Sequence, residues 1–402
     1  MASPGRSARP PRPRWAVLAR SANVKRLYRL WMAIGLLILV VAIIIILAPP
    51  FRAATHTAFF VLQTLDAPFK PQPWFTRTPL REEVKYSRPD GQGVADIYRI
   101  PDNQRRAAVL IFLGANAAGR GDPDVINLGD ALARTGFVVM FHWSPTMGLQ
   151  FNIDPEEIEG LVHAFQYLLA QDFVDRGRAG MGGFSVGGSF AMVAAADSRI
   201  RDDVVFVNSF GAYYDAQDLF LQVASRSRLN DRESGPWDVD RLTWLVFANE
   251  LTETLDNPAE RELLERHFLR NETAPGPALE ALSVQAQSVR TLLEGTSVAE
   301  AKMLLESLPP DFHQKMVAIS PSAHLSDLHA RLMIMHDDGD FLIPVGESRR
   351  LAKALEGRKD FRYTETRLFD HVRPGEGGGP WLLLTEGVKL FRHMYGIIRV
   401  AV

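Results

Sequence analysis

The sequence contains no cysteine among its 402 residues. This absence excludes disulfide bonds, metal sites built on thiolates and a cysteine nucleophile. It leaves the cellular compartment open, because a chain of this length can bury a large core without covalent cross-links. With 47% hydrophobic and 23% charged residues, the composition is that of a globular protein with one large domain or two modest ones.

Acidic side chains are missing from residues 1–30, which carry eight of the 45 Lys and Arg residues. Residues 31–402 therefore hold 37 basic and 47 acidic side chains. A basic tail on a mildly acidic body argues against general nucleic-acid binding, and we expect no nucleic-acid partner. The tail suits the anionic surface of a membrane. Its content of Pro, Arg and Ser predicts that residues 1–30 are disordered.

Charged side chains are also missing from residues 31–48, WMAIGLLILVVAIIIILA. As a helix these 18 residues rise about 27 Å, close to the hydrocarbon thickness of a bilayer. A soluble surface helix has a polar and an apolar face, whereas this segment is apolar all round. Pro49 and Pro50 follow and end the run. The pattern predicts one transmembrane helix.

The charges that flank this helix predict its orientation. Lys25, Arg26 and Arg29 precede it, and after it only Arg52 lies nearby. By the positive-inside rule we expect a single-pass protein of the cell membrane, with the N-terminus in the cytoplasm and the C-terminal part outside. A cleaved signal peptide is the alternative, because the sequence after the run offers small residues for cleavage. The long basic region and the length of the run favour retention.

Strand and helix patterns begin after a predicted connector at residues 49–80. The turn sequence PDGQG at residues 89–93 predicts a hairpin. Predicted strands and helices alternate over residues 81–211 and 321–398. This alternation predicts an α/β fold, a mostly parallel sheet with helices on both faces. Residues 212–320 interrupt it and are predicted as a helical cap insertion. The predicted later strands are 107–113, 137–141, 179–182, 204–208, 332–336 and 362–368; the predicted helices are 125–134, 155–171, 186–196, 346–355 and 381–395.

The motif G-x-S-x-G lies at residues 183–187, between a predicted strand and a predicted helix. A nucleophile at the tip of such a turn has a strained backbone, and its neighbours two positions away approach too closely for side chains. Gly183 and Gly187 meet that requirement and make Ser185 the candidate nucleophile. The following helix also directs its N-terminal amides at the same point, where they stabilise negative charge.

Two further candidates follow the last two predicted strands. His336-Asp337-Asp338-Gly339-Asp340 continues to Ile343 and Pro344, and His371 lies after the final strand. Here the sequence resembles the α/β-hydrolase superfamily, whose serine members often carry H-G-x-x-D-x-x-V/I-P at this point. Asp337 replaces the usual glycine, which leaves Asp337 and Asp338 as alternative acids to Asp340.

The resemblance implies a catalytic triad of Ser185, Asp340 and His371, in the order of the superfamily, over about residues 81–398. It also implies an oxyanion hole formed by the backbone N–H groups of Val186 and Ala115, the latter in the loop of residues 114–119. Asn116 is an alternative donor through its side chain. Tyr213 and Tyr214, after a strand that ends at the same sheet edge, are candidate substrate contacts.

The triad predicts a serine hydrolase, most simply a carboxylesterase acting on a small-molecule ester or acyl substrate. A peptidase or amide hydrolase would use the same residues, although no propeller-sized domain precedes the catalytic region. A non-catalytic binding module on the same fold is the alternative from another class, and the intact triad argues against it. We expect no cofactor and no metal site, because His324, His329 and His336 do not share one helix face.

Overall fold

The computed structural model describes residues 14–65, 69–116, 119–229, 235–371, 373–374 and 380–402. Residues 1–13 of the predicted tail, 66–68 of the connector, Ala117, Ala118 and 230–234 of the insertion lie outside this set, as does Val372 beside His371. The chain divides into two compact units, one within the first 55 residues and one from His56 to Val402.

The first unit contains a long helix, α1 (Arg14–Leu47), and the start of a second, α2 (Pro49–Thr64). Residues 14–30 are therefore helical, and the prediction of disorder over them is wrong. These residues contain no proline, and their Ala, Leu, Arg and Lys side chains favour a helix. The break at Pro49 is as predicted, since proline starts a helix readily but does not continue one. Within the described residues, one helical segment is long and apolar enough to cross a membrane, Arg26–Ile44, with a mean hydropathy of 2.4. A signal sequence near the N-terminus also meets these two criteria of length and hydropathy.

The second unit is organised around an eight-stranded sheet. Its strands are β1 (Leu80–Arg88), β2 (Gly91–Arg99), β3 (Arg106–Phe112), β4 (Val138–Trp143), β5 (Val174–Phe184), β6 (Phe206–Phe210), β9 (Arg331–Asp337) and β10 (Phe361–Thr366). In the sheet they have the order β1-β2-β4-β3-β5-β6-β9-β10. Strand β2 is antiparallel to both of its neighbours, and the six strands from β4 to β10 are parallel. The predicted hairpin is β1–β2.

Helices cover both faces of the sheet because its strands are apolar on both sides. Along β3, Ala108, Leu110 and Phe112 belong to one core cluster. Val109 and Ile111 belong to the other. This alternation follows the two-residue period of a strand. Each fully buried large side chain contributes roughly 1.5–3 kcal/mol.

The helices of the sheet layer match the predicted ones to within a few residues. At the start of α5, the carboxylate of Asp154 accepts a hydrogen bond from the N–H of Glu156 at 3.0 Å. These helices are α4 (Pro123–Arg134), α5 (Glu156–Leu169), α6 (Val186–Ala195), α14 (Gly346–Ala354) and α15 (Pro380–Ile398), with the short α3 (Gln72–Phe75) before the sheet.

The insertion between β6 and β9 is helical, as its sequence pattern predicts. Besides its helices, the described part of the insertion contains one antiparallel pairing of two short strands, β7 (Ser227–Arg228) and β8 (Gly235–Pro236). The helices are α7 (Ala216–Ala224), α8 (Arg241–Glu253), α9 (Pro258–Leu264), α10 (Gly276–Glu280), α11 (Val284–Glu294), α12 (Val298–Glu306) and α13 (Pro310–Ala318). A mostly parallel sheet with helices on both faces and a helical insertion confirms the expected α/β-hydrolase fold.

Candidate active site

Ser185 occupies the turn between β5 and α6. Its backbone has φ 55° and ψ −137°, outside the regions that a residue with a side chain normally occupies. Such strain persists only where the surroundings enforce it. The N–H of Ser185 donates to the carbonyl of Phe210 at the end of β6 (2.8 Å), and its own carbonyl accepts from Gly188 (2.9 Å). The serine is half-buried.

The two glycines around Ser185 are required by contact distances. A side-chain carbon at Gly183 would lie 2.2 Å from the carbonyl oxygen of Gly187. One at Gly187 would lie 2.3 Å from the carbonyl oxygen of Phe112, at the end of β3. Both distances are shorter than any real van der Waals contact. The steric reason for the motif, inferred from the sequence, is therefore present in the structure.

Asp340 and His371 form a buried pair beyond the ends of β9 and β10. The imidazole Nδ1 of His371 lies 2.6 Å from Oδ2 of Asp340, and the two residues are 6% and 1% exposed. Burial opposes ionisation of Asp340, but attraction to His371 and hydrogen bonds from two imidazoles outweigh it, so the pKa of this carboxyl lies well below its usual range. Asp340 is therefore a carboxylate throughout the physiological pH range.

Gly211 connects this pair to the serine. It follows Phe210, which binds the Ser185 N–H, and its own N–H donates to Met335 on β9 at 2.9 Å. A side-chain carbon at Gly211, whose φ is +64°, would lie 3.2 Å from Cε1 of His371 and 3.3 Å from Oδ2 of Asp340. The ends of β5, β6 and β9 thus bring Ser185, His371 and Asp340 to one edge of the sheet.

The other two aspartates of the acid loop (residues 337–344) have different partners. Asp338 forms ion pairs at 2.8 Å with Arg349 and with Arg367. Asp337 accepts hydrogen bonds from the N–H groups of Gly339 and Phe369, each at 3.0 Å. Of the three candidates, Asp340 is the one whose carboxylate contacts His371.

Asp337 has a role that the sequence reasoning did not assign. Phe369, whose N–H it binds, starts a small hairpin of β11 (Phe369–Asp370) and β12 (Arg373–Pro374) that carries His371 at its tip. The ring of Phe369 also packs edge-on against Phe210 at 4.9 Å. His371 itself has a positive φ of 62°. The sequence did contain a signal for this role: Asp337 replaces the glycine that the superfamily usually has at this position. A buried carboxylate there needs a hydrogen-bond donor, and Phe369 supplies one.

His336 is a second histidine at the same carboxylate. Its Nε2 lies 3.1 Å from Oδ2 of Asp340 and 3.0 Å from the carbonyl oxygen of Ile343. Both neighbours are acceptors, so Nε2 carries a proton; Nδ1 lies 2.7 Å from Oγ of Ser348. Burial lowers the pKa of His336, but the hydrogen bond and charge of Asp340 outweigh this and raise it. The remaining oxygen of Asp340 accepts the N–H groups of Leu342 (2.9 Å) and Ile343 (3.0 Å).

The predicted oxyanion donors lie on two adjacent backbone segments. Val186 is the first residue of α6, so its N–H has no acceptor within the helix. Gly114, with φ +67°, is packed so tightly on this helix start that a side-chain carbon would lie 2.8 Å from the N of Gly187. Ala115 follows it and is half-buried. Asn116, also half-buried, donates its N–H to the Gly114 carbonyl at 3.0 Å.

The two predicted tyrosine contacts lie in the joint between the sheet and the insertion. Tyr213 is 2% exposed, and its hydroxyl donates to the carbonyl of Ile319 at 3.0 Å. The half-buried ring of Tyr214 lies under the guanidinium of Arg350. The prediction of Tyr213 as a substrate contact is therefore corrected, because its side chain and hydroxyl are used in packing. Among the described residues, no hydrogen bond or ring contact joins Tyr214 to the Ser185 turn.

A hydroxyl, an imidazole and a carboxylate at one sheet edge are suited to proton transfer and nucleophilic attack. The Nδ1 of His371 faces the carboxylate, which leaves Nε2 as the atom able to accept a proton. Among the described residues, no group of three or more His, Cys, Asp or Glu side chains has the spacing to hold a metal ion.

No protein-family model matches this sequence, and no curated protein matches it. Solved structures match in fold. One is an acylaminoacyl peptidase in complex with Z-Gly-Gly-Phe-chloromethyl ketone, which is 12% identical with a TM-score of 0.45; the match covers 74% of this chain and 38% of that one. Another is 2,6-dihydroxy-pseudo-oxynicotine hydrolase, at 12% identity, a TM-score of 0.48 and coverages of 81% and 69%. A third is an esterase of Pyrobaculum calidifontis, at 15% identity, a TM-score of 0.43 and coverages of 86% and 90%.

This chain thus spans 38% of the length of the acylaminoacyl peptidase that it matches. At such identities the likeness concerns the fold alone and assigns no reaction to this chain.

Proposed function

We propose that this protein is a membrane-anchored serine hydrolase that cleaves carboxylic esters with Ser185, His371 and Asp340. The observation that carries the proposal is the convergence of the strained Ser185 turn with the buried His371–Asp340 pair. Phe210 and Gly211 join the two, because Phe210 binds the Ser185 N–H and Gly211 lies against both members of the pair.

The proposed reaction proceeds through an acyl-enzyme. As Oγ of Ser185 attacks the substrate carbonyl carbon, Nε2 of His371 takes its proton, and Asp340 stabilises the resulting imidazolium. The tetrahedral intermediate collapses, the ester C–O bond breaks, and the alcohol leaves with the proton from His371. Water then attacks the acyl-enzyme in the same way, which releases the carboxylic acid and restores the serine hydroxyl. The N–H groups of Val186 and Ala115 are the proposed donors to the oxyanion, each worth roughly 3–4 kcal/mol to the transition state.

A fluorophosphonate probe tests the proposal directly. The wild-type protein should be labelled covalently and should hydrolyse p-nitrophenyl esters faster than matched p-nitroanilides. Faster cleavage of the anilides would show that the enzyme is an amide hydrolase and not an esterase. A wild-type protein that neither reacts with the probe nor hydrolyses either series would instead be a binding module on a hydrolase fold.

His336 is proposed as a positioning residue for Asp340. Replacing it with leucine removes one hydrogen bond from the carboxylate, so Oδ2 of Asp340 is held less firmly towards Nδ1 of His371. We expect kcat for p-nitrophenyl acetate to fall about tenfold, equal to about 1.4 kcal/mol, with KM nearly unchanged. The measurement is steady-state hydrolysis of p-nitrophenyl acetate, with kcat and KM determined separately.

His336→Gln is the matched control, because its amide retains an N–H donor of similar reach. This variant should return kcat towards the wild-type value. A His336→Leu variant that folds normally by circular dichroism and keeps the wild-type kcat, or a loss of kcat that His336→Gln does not restore, would contradict the role.

The Arg26–Ile44 segment is proposed as a retained anchor, with the catalytic unit outside the cell. The full-length protein should therefore stay in the membrane pellet after a sodium carbonate wash at high pH, because hydrophobic insertion survives the loss of electrostatic contacts. Immunoblotting of pellet and supernatant measures this. A soluble form whose N-terminus lies near residue 50 would show cleavage of a signal peptide instead.

A further inference from the structure

One helix of the insertion, α8, contacts loops on both sides of the candidate site. Near its N-terminus, Oγ1 of Thr243 donates to the carbonyl of Leu342 at 2.9 Å. Trp237, shortly before the helix, donates its indole N–H to the carbonyl of Phe341 at 3.2 Å. Phe341 and Leu342 directly follow Asp340 in the acid loop. This end of α8 is thereby fastened beside the carboxylate that binds His371.

The other end of α8 is fastened to the loop between β4 and α5. The side-chain amide of Asn249 donates to the carbonyl of Gln150 at 3.0 Å, and Oε1 of Glu250 accepts the N–H of Ile153 at 2.7 Å. Glu250 is 2% exposed and is paired with Lys315 at 2.5 Å. These bonds hold the C-terminal half of the helix in place.

The β4–α5 loop in turn lies against the proposed oxyanion segment. A side-chain carbon at Gly148 would lie 3.3 Å from the carbonyl oxygen of Asn116. Asn116 follows Ala115, the proposed second oxyanion donor. Helix α8 therefore bridges the acid side and the oxyanion side of the Ser185 turn.

The helical period places Val246 between these fastening points. Thr243 precedes it by three residues, and Asn249 and Glu250 follow it by three and four. Residues at these spacings share one face of a helix, so the four side chains lie on the same side of α8. The opposite face carries Ala248, which is fully buried within the insertion. Val246 and Leu242, four residues earlier on the same face, are only half-buried. Between its two fastening points, this side of α8 is therefore apolar and partly accessible at its centre, where Val246 also packs against the core.

We propose that Val246, with Leu242, forms the apolar wall of the pocket that receives the hydrocarbon group next to the scissile carbonyl. The inference rests on the proposed function and specifies its substrate class: esters whose acyl group is an alkyl chain longer than acetyl. The charged side chains of α8 have partners elsewhere: Glu250 and Glu253 are bound to Lys315 and to Asn152, and Arg241 lies over the ring of Trp244. This leaves an apolar surface for the substrate.

The test is a chain-length series on full-length protein in one detergent. In Val246→Phe, kcat/KM for p-nitrophenyl octanoate should fall about tenfold or more relative to wild type, while the value for p-nitrophenyl acetate stays within about twofold. Val246→Ala should shift the preference towards longer chains. Comparing each variant with wild type at the same chain length cancels partition of the ester into micelles.

Val284→Phe is the matched control, because Val284 begins α11 in the same insertion and is 85% exposed. It should leave the chain-length profile unchanged. A profile in Val246→Phe that parallels wild type, or that shifts no more than in Val284→Phe, would overturn the pocket assignment alone. A wild-type protein unreactive towards both short and long alkyl fluorophosphonates would overturn the proposed function, and the pocket assignment with it.

Discussion

Ser185→Ala should abolish covalent labelling by fluorophosphonates and lower ester turnover by about 10⁴- to 10⁶-fold. This magnitude is expected because the three residues of the proposed triad act as one unit. Without the attacking oxygen, only the oxyanion donors and substrate binding still contribute to the rate. Alanine fits the site because it is smaller than serine and keeps the backbone N–H that donates to Phe210. The loss should therefore appear in kcat and in the labelling rate, with little change in thermal stability.

Ser189→Ala supplies the control within the same helix. Ser189 is fully buried, and its hydroxyl donates to the carbonyl of Tyr213 at 2.9 Å. Its loss should cost about 1 kcal/mol of stability and leave labelling intact. Labelling that survives Ser185→Ala, or that disappears in Ser189→Ala while the protein remains folded, would remove Ser185 as the proposed nucleophile.

Asp340→Asn should lower kcat by about 10⁴-fold. The carboxylate accepts four hydrogen bonds, two backbone N–H groups on one oxygen and two imidazoles on the other. Asparagine has one acceptor oxygen, so its NH₂ group must face donors on one side. If the NH₂ group faces His371, it favours the wrong tautomer of the imidazole. In either orientation of the amide, the negative charge that stabilises the imidazolium is lost.

The neighbouring aspartates make a matched series. Asp338→Asn removes only ion pairs with Arg349 and Arg367 at the surface, so activity should stay within about twofold. Asp337→Asn weakens the attachment of the His371 hairpin, and we expect an intermediate loss. Measured kcat values that rank Asp338→Asn or Asp337→Asn below Asp340→Asn would contradict the assignment of the acid. Circular dichroism on each variant separates loss of fold from loss of chemistry.

The low pKa of Asp340 has a consequence for stability. A carboxyl whose pKa is lower in the folded state contributes stability above its unfolded pKa and loses it as pH falls through the folded value. Wild type should therefore lose stability on acidification below about pH 4, and Asp340→Asn should lose less over the same range. Thermal melting between pH 3 and pH 7 measures the difference.

The sequence determined those features that depend on residues close together in the chain. The apolar run of residues 31–48, the hairpin around PDGQG and the strand–helix alternation each follow from a local period or turn. The requirement for Gly183 is equally local, because a side chain there would clash with Gly187 within the same turn; the clash at Gly187 is with Phe112 on β3 and depends on the strand order as well. The same reasoning failed for residues 14–30, where average composition outweighed the helix propensity of the individual residues.

Only the tertiary structure decided which side chains meet. The contact between Asp340 and His371 spans 31 positions, and the bonds that fasten α8 at Thr243 and Glu250 span 99 and 97. No local period encodes such distances, because they depend on strand order and on how the insertion packs. For this reason the choice among three aspartates, the part played by His336 and the packing of Tyr213 required the fold, whereas the candidacy of Ser185 did not.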